Sequence, residues 1–276
     1  MEAIRQFIID EADLGSGLVW MVAFFIALET LAHLPGVKVS WASRVRAVAF
    51  WTLYNTIILA MVYLISPLWT RLGVKPLLPS LVPPGVPPIL GVVVGAIAAA
   101  YVGDFVYYWC HRFQHRFLWR FHAVHHSVRE LSGIAAYHHF SEELMHFALY
   151  TIPLSLVTRD PYAVPVLGML LGLQGNYLHS PTWVNFGPLG RYFMDNRLHR
   201  IHHSMEARHF DKNFGLFTTL WDVLFGTAYF PAKDEWPETG VADFPEPKTM
   251  RAFLLAPFTH RKVAARPPAD AVPERA

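Results

Sequence analysis

Three short stretches of this chain carry histidine at spacings that bring ring nitrogens together. HRFQH, from His111 to His115, has two histidines four apart. HAVHH (His122, His125, His126) and HRIHH (His199, His202, His203) each have three, at i, i+3 and i+4. On a helix such positions share one face. Neutral imidazole is the commonest protein ligand for metals, and one such pair supplies half of a four-coordinate shell. Eight imidazoles are enough for two ions. Imidazole suits iron, zinc, copper and nickel alike, so the spacing alone leaves the metal open.

A length argument constrains how these boxes meet. One straight helix from His111 to His126 would span roughly 22 Å at ~1.5 Å per residue, whereas paired ions sit only a few ångströms apart. Either the boxes serve separate sites or the chain bends between His115 and His122. The bend is the preferred reading, and FLWRF, Phe117 to Phe121, is where it is expected. Asp104 lies seven residues before His111, on the same helix face. It is a candidate functional carboxylate, or a solvated helix end. Asp222 is a candidate for orienting a ligand ring, or for capping or pairing with an arginine. Asn213, Phe214 and Gly215 read as a turn built on positive φ, and Trp221 and Phe225, four apart, as a packing pair. His209 reads equally as a partner behind the ligands or as a surface residue. His33, His138, His146 and His260 fit no box.

The elements that must hold these residues are apolar. Of the 276 residues 53% are hydrophobic and 16% charged, against about 25% charged in soluble domains. The net charge of +2 gives no footprint for nucleic acid. The single cysteine, Cys110, excludes an intrachain disulfide and any Cys-based zinc or iron–sulfur site. Stretches long enough to cross a bilayer run from Gly17 to Leu34, Ala47 to Trp69 and Ile89 to Trp109. A fourth, Leu144 to Leu178, is broken by TRDPY at Thr158 to Tyr162 and reads as a helical hairpin. The expected fold is all-α: a polytopic membrane bundle of about four to five membrane helices, with a cytoplasmic helical cap around a histidine-rich di-metal site.

Lys38, Arg44 and Arg46 follow the first span, and Arg112, Arg116, Arg120 and Arg129 follow the third; the opposite loop has only Arg71 and Lys75. The positive-inside bias therefore puts all the histidine boxes at the cytoplasmic face of an inner membrane. The acidic N-terminus does not read as a signal peptide. Residues 1–88 form an N-terminal helical region ending in a proline-rich linker, 89–230 the histidine-bearing domain, and 231–276 an extension whose tail, Ala265 to Ala276, is expected to be disordered.

HRFQH, HAVHHS and LHRIHHS followed by DKNFGLFTTLWDVLFGT resemble the fatty acid hydroxylase / sterol desaturase superfamily, over about Asp104 to Thr227. The resemblance implies an integral-membrane, non-haem di-iron enzyme that uses O2 and two external electrons to hydroxylate or desaturate a lipid C–H bond. It implies two iron ions held by the eight box histidines, with two further ligands. One is His179, in GNYLHS; the other is His139, in a motif that reads HFSE here without the family's proline. Gly175 stands where some members have a second histidine, four residues before the position of His179. No redox domain is visible in the chain, so electrons are expected from a separate ferredoxin- or cytochrome-type protein with its reductase. Two other readings are a membrane zinc hydrolase and a metal-binding or transport protein. The first lacks an H-E-x-x-H motif. The second expects broken helices at the bilayer midplane, whereas these boxes lie beyond the spans.

Overall fold

The computed structural model describes residues 2–73, 75–78, 80, 85–135, 137–158 and 163–260. The tail from Ala265 lies outside them, as do Arg159 to Tyr162 of the TRDPY break. All regular structure among the described residues is helical apart from isolated bridges. The long helices are α1 (Glu2–Leu31), α2 (Trp41–Arg71) and α3 (Pro88–Phe117). Shorter ones follow: α4 (Trp119–His126), α5 (Phe140–His146), α6 (Ile152–Val157), α7 (Ala163–His179), α8 (Asn196–His202), α9 (Leu220–Leu224) and α10 (Met250–Thr259). A π-helical turn, Phe147–Thr151, joins α5 to α6.

One helix among the described residues is long and apolar enough to cross a membrane, Pro88–Phe117; Gly15–Leu31 is apolar but shorter. The expectation of four to five membrane helices therefore narrows to one clear candidate. Pro88 starts α3 at a position where a missing N–H costs nothing. Ala96, Ala99, Ala100 and Gly103 then recur at helical spacing, and the three alanines pack against Leu167 of α7. Small residues let two helix backbones approach closely, which suits packing in lipid. As a result the C-terminal ends of α3 and α7 lie together, one carrying His111 and His115 and the other His179.

The bend falls where the length argument puts it. Helix α3 ends at Phe117, Leu118 leaves helical geometry at φ −125°, and α4 begins at Trp119. Behind α4 sits the main apolar core. Phe25 of α1, Phe50 of α2, Trp119, Ala123 and Val124 of α4, and Phe253 and Ala256 of α10 are all buried in it. Helices from both ends of the chain thus brace the HAVHH box. Glu29, 3% exposed, bonds the Gly133 amide at 2.6 Å and pairs with Arg44 at 2.7 Å, which pins the segment after α4 to α1 and α2.

Candidate metal centre

Four helices and one loop converge on the histidines. The box on α8 is started by Asp195, whose carboxylate accepts from the amides of Arg197 and Leu198 at 3.0 and 3.1 Å. That N-cap fixes the first turn, so His199, His202 and His203 leave the helix on its buried side. The nine histidines sort into two groups. His111, His115, His122, His126 and His202 form the first, and His125, His179, His199 and His203 the second. Within each, one ring nitrogen per residue lies within 4.8 Å of the others, and every member is buried. The groups adjoin: the rings of His126 and His203 are 4.3 Å apart at their centres.

The outer ring nitrogens show how the rings are charged and aimed. Burial holds His122, His125, His199, His202 and His203 well below the ordinary histidine range, so they are neutral at pH 7. A neutral imidazole has one donor and one acceptor nitrogen. His125 Nδ1 lies 3.2 Å from the Tyr137 carbonyl oxygen and His179 Nδ1 2.7 Å from that of Gly175. A carbonyl only accepts, so both protons sit on Nδ1 and both Nε2 atoms carry bare lone pairs. Those two Nε2 atoms face each other at 3.2 Å. Two lone pairs at that distance repel, and a cation between them turns the contact favourable. The donor set and its tautomers therefore fit a metal ion. In the first group His111 Nδ1 bonds Phe214 O at 2.8 Å and His202 Nδ1 bonds Lys212 O at 2.8 Å, again aiming Nε2 inward. His122 Nδ1 sits 2.6 Å from Glu142 Oε2. Burial and the adjacent Glu143 push the Glu142 carboxyl well above the usual range, and a cation on His122 would favour its ionised form.

The loop supplying Lys212 O and Phe214 O is held by the two aspartates. Asp104 accepts from the amides of Leu216, Phe217 and Thr218 at 2.7, 3.0 and 2.9 Å. Asp222 accepts from Phe214 N and Gly215 N at 2.8 Å and from Thr227 Oγ1 at 2.7 Å. Both carboxylates are spent on this clamp and neither joins a histidine group. They reach the rings through the loop that carries Lys212 O and Phe214 O. Asn213 has φ 56°, as a turn residue should. Gly215 is needed for a different reason: a Cβ there would lie 2.4 Å from the Thr218 carbonyl oxygen. Trp221 packs on Phe105 and Phe225 stacks on Tyr108.

His179, outside every box, enters the second group, with Nε2 atoms of His125 and His199 at 3.2 and 2.9 Å. His139 lies outside both groups. It caps α5 by accepting from Ser141 N and packs its ring against Phe253. Its neighbour His138 points inward instead, stacked on His125 at 3.8 Å and gathered with His122 and Glu142. Sequence reasoning left His138 outside every box and met Glu142 only as the last residue of HFSE; the signal for His138 was the paired HH before SEE. His209 is buried between Ser204 Oγ and Glu235 Oε1, away from the groups. Cys110 is directed to the Leu149 carbonyl.

Fold and site together define a helical histidine-box protein with buried room for two metal ions. Residues 96–227, the histidine-bearing stretch, match the fatty acid hydroxylase family model, so this part of the chain is similar to that family. Over 141 residues it is 33% identical to the ornithine lipid hydroxylase OlsE of Rhizobium tropici, covering 51% of this chain and 42% of that relative. The chain thus spans less than half of the relative's length. No solved structure matches it.

Proposed function

We propose that this protein is a membrane lipid hydroxylase whose two histidine groups hold two iron ions. One observation carries the reading: nine buried imidazoles in two adjoining groups, with His125 and His179 aimed nitrogen to nitrogen so that a cation is needed between them. The iron pair would supply activation of O2, so that one oxygen atom enters a lipid C–H bond. The balance is R–H + O2 + 2 e⁻ + 2 H⁺ giving R–OH + H2O, with both electrons from a separate donor protein. The chain's own residues do the rest. Carbonyls of Phe214, Lys212, Tyr137 and Gly175 fix the tautomers and aim of four rings. Asp104 and Asp222 hold the loop that carries two of those carbonyls. Tyr107, Leu171 and Leu216 line the approach to His179 and His199.

The arginine distribution supports a site on the cytoplasmic side. Reporter fusions after Val39 and after Phe230 should both read cytoplasmic. The function is tested by supplying purified, iron-loaded protein with a reductant, a ferredoxin system and bacterial lipid extract. A product heavier by one oxygen, labelled from ¹⁸O2, is expected. Its absence, with iron bound and lipid present, would sink the hydroxylase reading.

A further inference from the structure

A cavity of about 290 Å³ opens onto the second histidine group. Its walls include Trp51, Leu171, His138, His179 and His199. An acyl chain alone would suit apolar walls, yet four polar side chains also face this space. Among the described residues, Glu143 Oε1, Asn176 Oδ1, His146 Nε2 and Tyr150 Oη are buried without a hydrogen-bond partner, and all four residues line the cavity. Glu143 and Asn176 are 3% and 6% exposed, so bulk water does not serve them.

The roles of two of these atoms are fixed. Asn176 donates its amide nitrogen to the Gly172 carbonyl at 2.8 Å, which leaves Oδ1 as an acceptor turned to the cavity. The nearest cation candidate on the same helix, His146 Nδ1, is 3.6 Å from Glu143 Oε1, within ion-pair reach for a protonated ring but beyond hydrogen-bond length. A carboxylate oxygen and an amide oxygen, both buried and both acceptors, ask for a group rich in N–H donors. Leaving such acceptors unmet is costly, and a buried carboxylate without a counter-ion costs more. A protonated primary amine brings three donors and one positive charge.

We infer that this cavity receives the ammonium-bearing part of an aminolipid, with Glu143 Oε1 as its counter-ion and Asn176 Oδ1 as a second acceptor. This inference rests on the lipid hydroxylase reading and names its substrate class. The amine end, not the middle of an acyl chain, then lies against His179 and His199, and the oxidised carbon is one near the nitrogen. Glu143 and Asn176 thus set specificity at the polar end.

The test uses the full-length, iron-loaded protein in nanodiscs and two synthetic lipids, one with a free primary amine and its N-acetylated twin. Binding is followed by the fluorescence of Trp51 and its neighbours, and turnover by mass spectrometry. The free amine should bind at least about tenfold tighter, as expected for a buried charged contact. Glu143→Gln should bring the two lipids to near-equal affinity while keeping iron content and helicity. Equal binding of both lipids to the wild type overturns the inference, as does a preference that survives in Glu143→Gln. The lipid pair needs no variant, so a poorly folded Glu143→Gln leaves the test intact. Conversion of both lipids at the same rate defeats this inference but leaves the hydroxylase reading standing. Failure to oxidise any lipid defeats that reading instead.

Discussion

The two histidine groups use the same side chain in different surroundings. In the five-histidine group, His111, His122 and His202 are braced from behind by Phe214 O, Glu142 and Lys212 O, and none of the five lines the cavity. In the four-histidine group, His125 and His179 are braced by carbonyls, but Nδ1 of His199 and of His203 has no partner among the described residues. His179 and His199 line the cavity. Metal sites that do chemistry keep a position open, whereas structural ones are closed. On the proposed function, the contrast gives the first group the part of holding and tuning an ion, and the second that of meeting the substrate.

Substitutions should separate the two roles. His199→Ala should lose more than about 100-fold in turnover, exceeding the ~10–100-fold typical of partners behind a ligand, and should weaken lipid binding too. His115→Ala should lose comparable turnover but leave lipid affinity intact. Measured side by side, equal effects of the two on lipid binding would erase the proposed division. Next in size is Asp104→Ala. It strands three backbone amides, and at ~1–3 kcal/mol for each buried donor it should destabilise by at least about 3 kcal/mol in denaturant titration. An unchanged midpoint would show that the clamp is not structural.

Acid sets a smaller, graded effect on metal-free protein. His122, His125, His199, His202 and His203 have folded pKa values below the ordinary 6.5, and burial lowers that of His139 to about 4. Below about pH 6.5 the unfolded chain binds more protons than the folded one. Stability should therefore be full above that pH and fall as acid is added, continuing through about pH 4 for His139. Thermal melts between pH 7.5 and 4 that showed no decline would contradict the buried, neutral state. The smallest effect belongs to His139→Ala, which should cost about 1 kcal/mol as a lost N-cap and leave metal content unchanged.

Much of the site was readable from spacing, because i, i+3 and i+4 positions on a helix meet whatever surrounds them. The bend after Phe117 followed from arithmetic, since a straight helix cannot return His122 to His111. Where reading failed, the cause was tertiary. Asp104 reads as a functional carboxylate or a solvated helix end, and Asp222 as orienting a ligand ring, capping or pairing with an arginine, yet Asp104 meets amides more than a hundred residues away, and no local pattern announces such a clamp. His138 and His139 are neighbours in an irregular segment, where no period says which turns inward. Gly215 is required by a close carbonyl and not by its own φ. Of the expected membrane helices, one among the described residues, Pro88–Phe117, is long and apolar enough to cross a bilayer, while α1 and α2 pack on each other around Phe25 and Phe50.

The central claim is that the two groups are two adjoining metal sites, and metal stoichiometry tests it most directly. Protein purified without oxygen from iron-replete cells should contain two irons per folded chain by mass spectrometry of the metals, falling to one in His203→Ala. Wild-type protein with one metal or none, or two metals retained in His203→Ala, would contradict it.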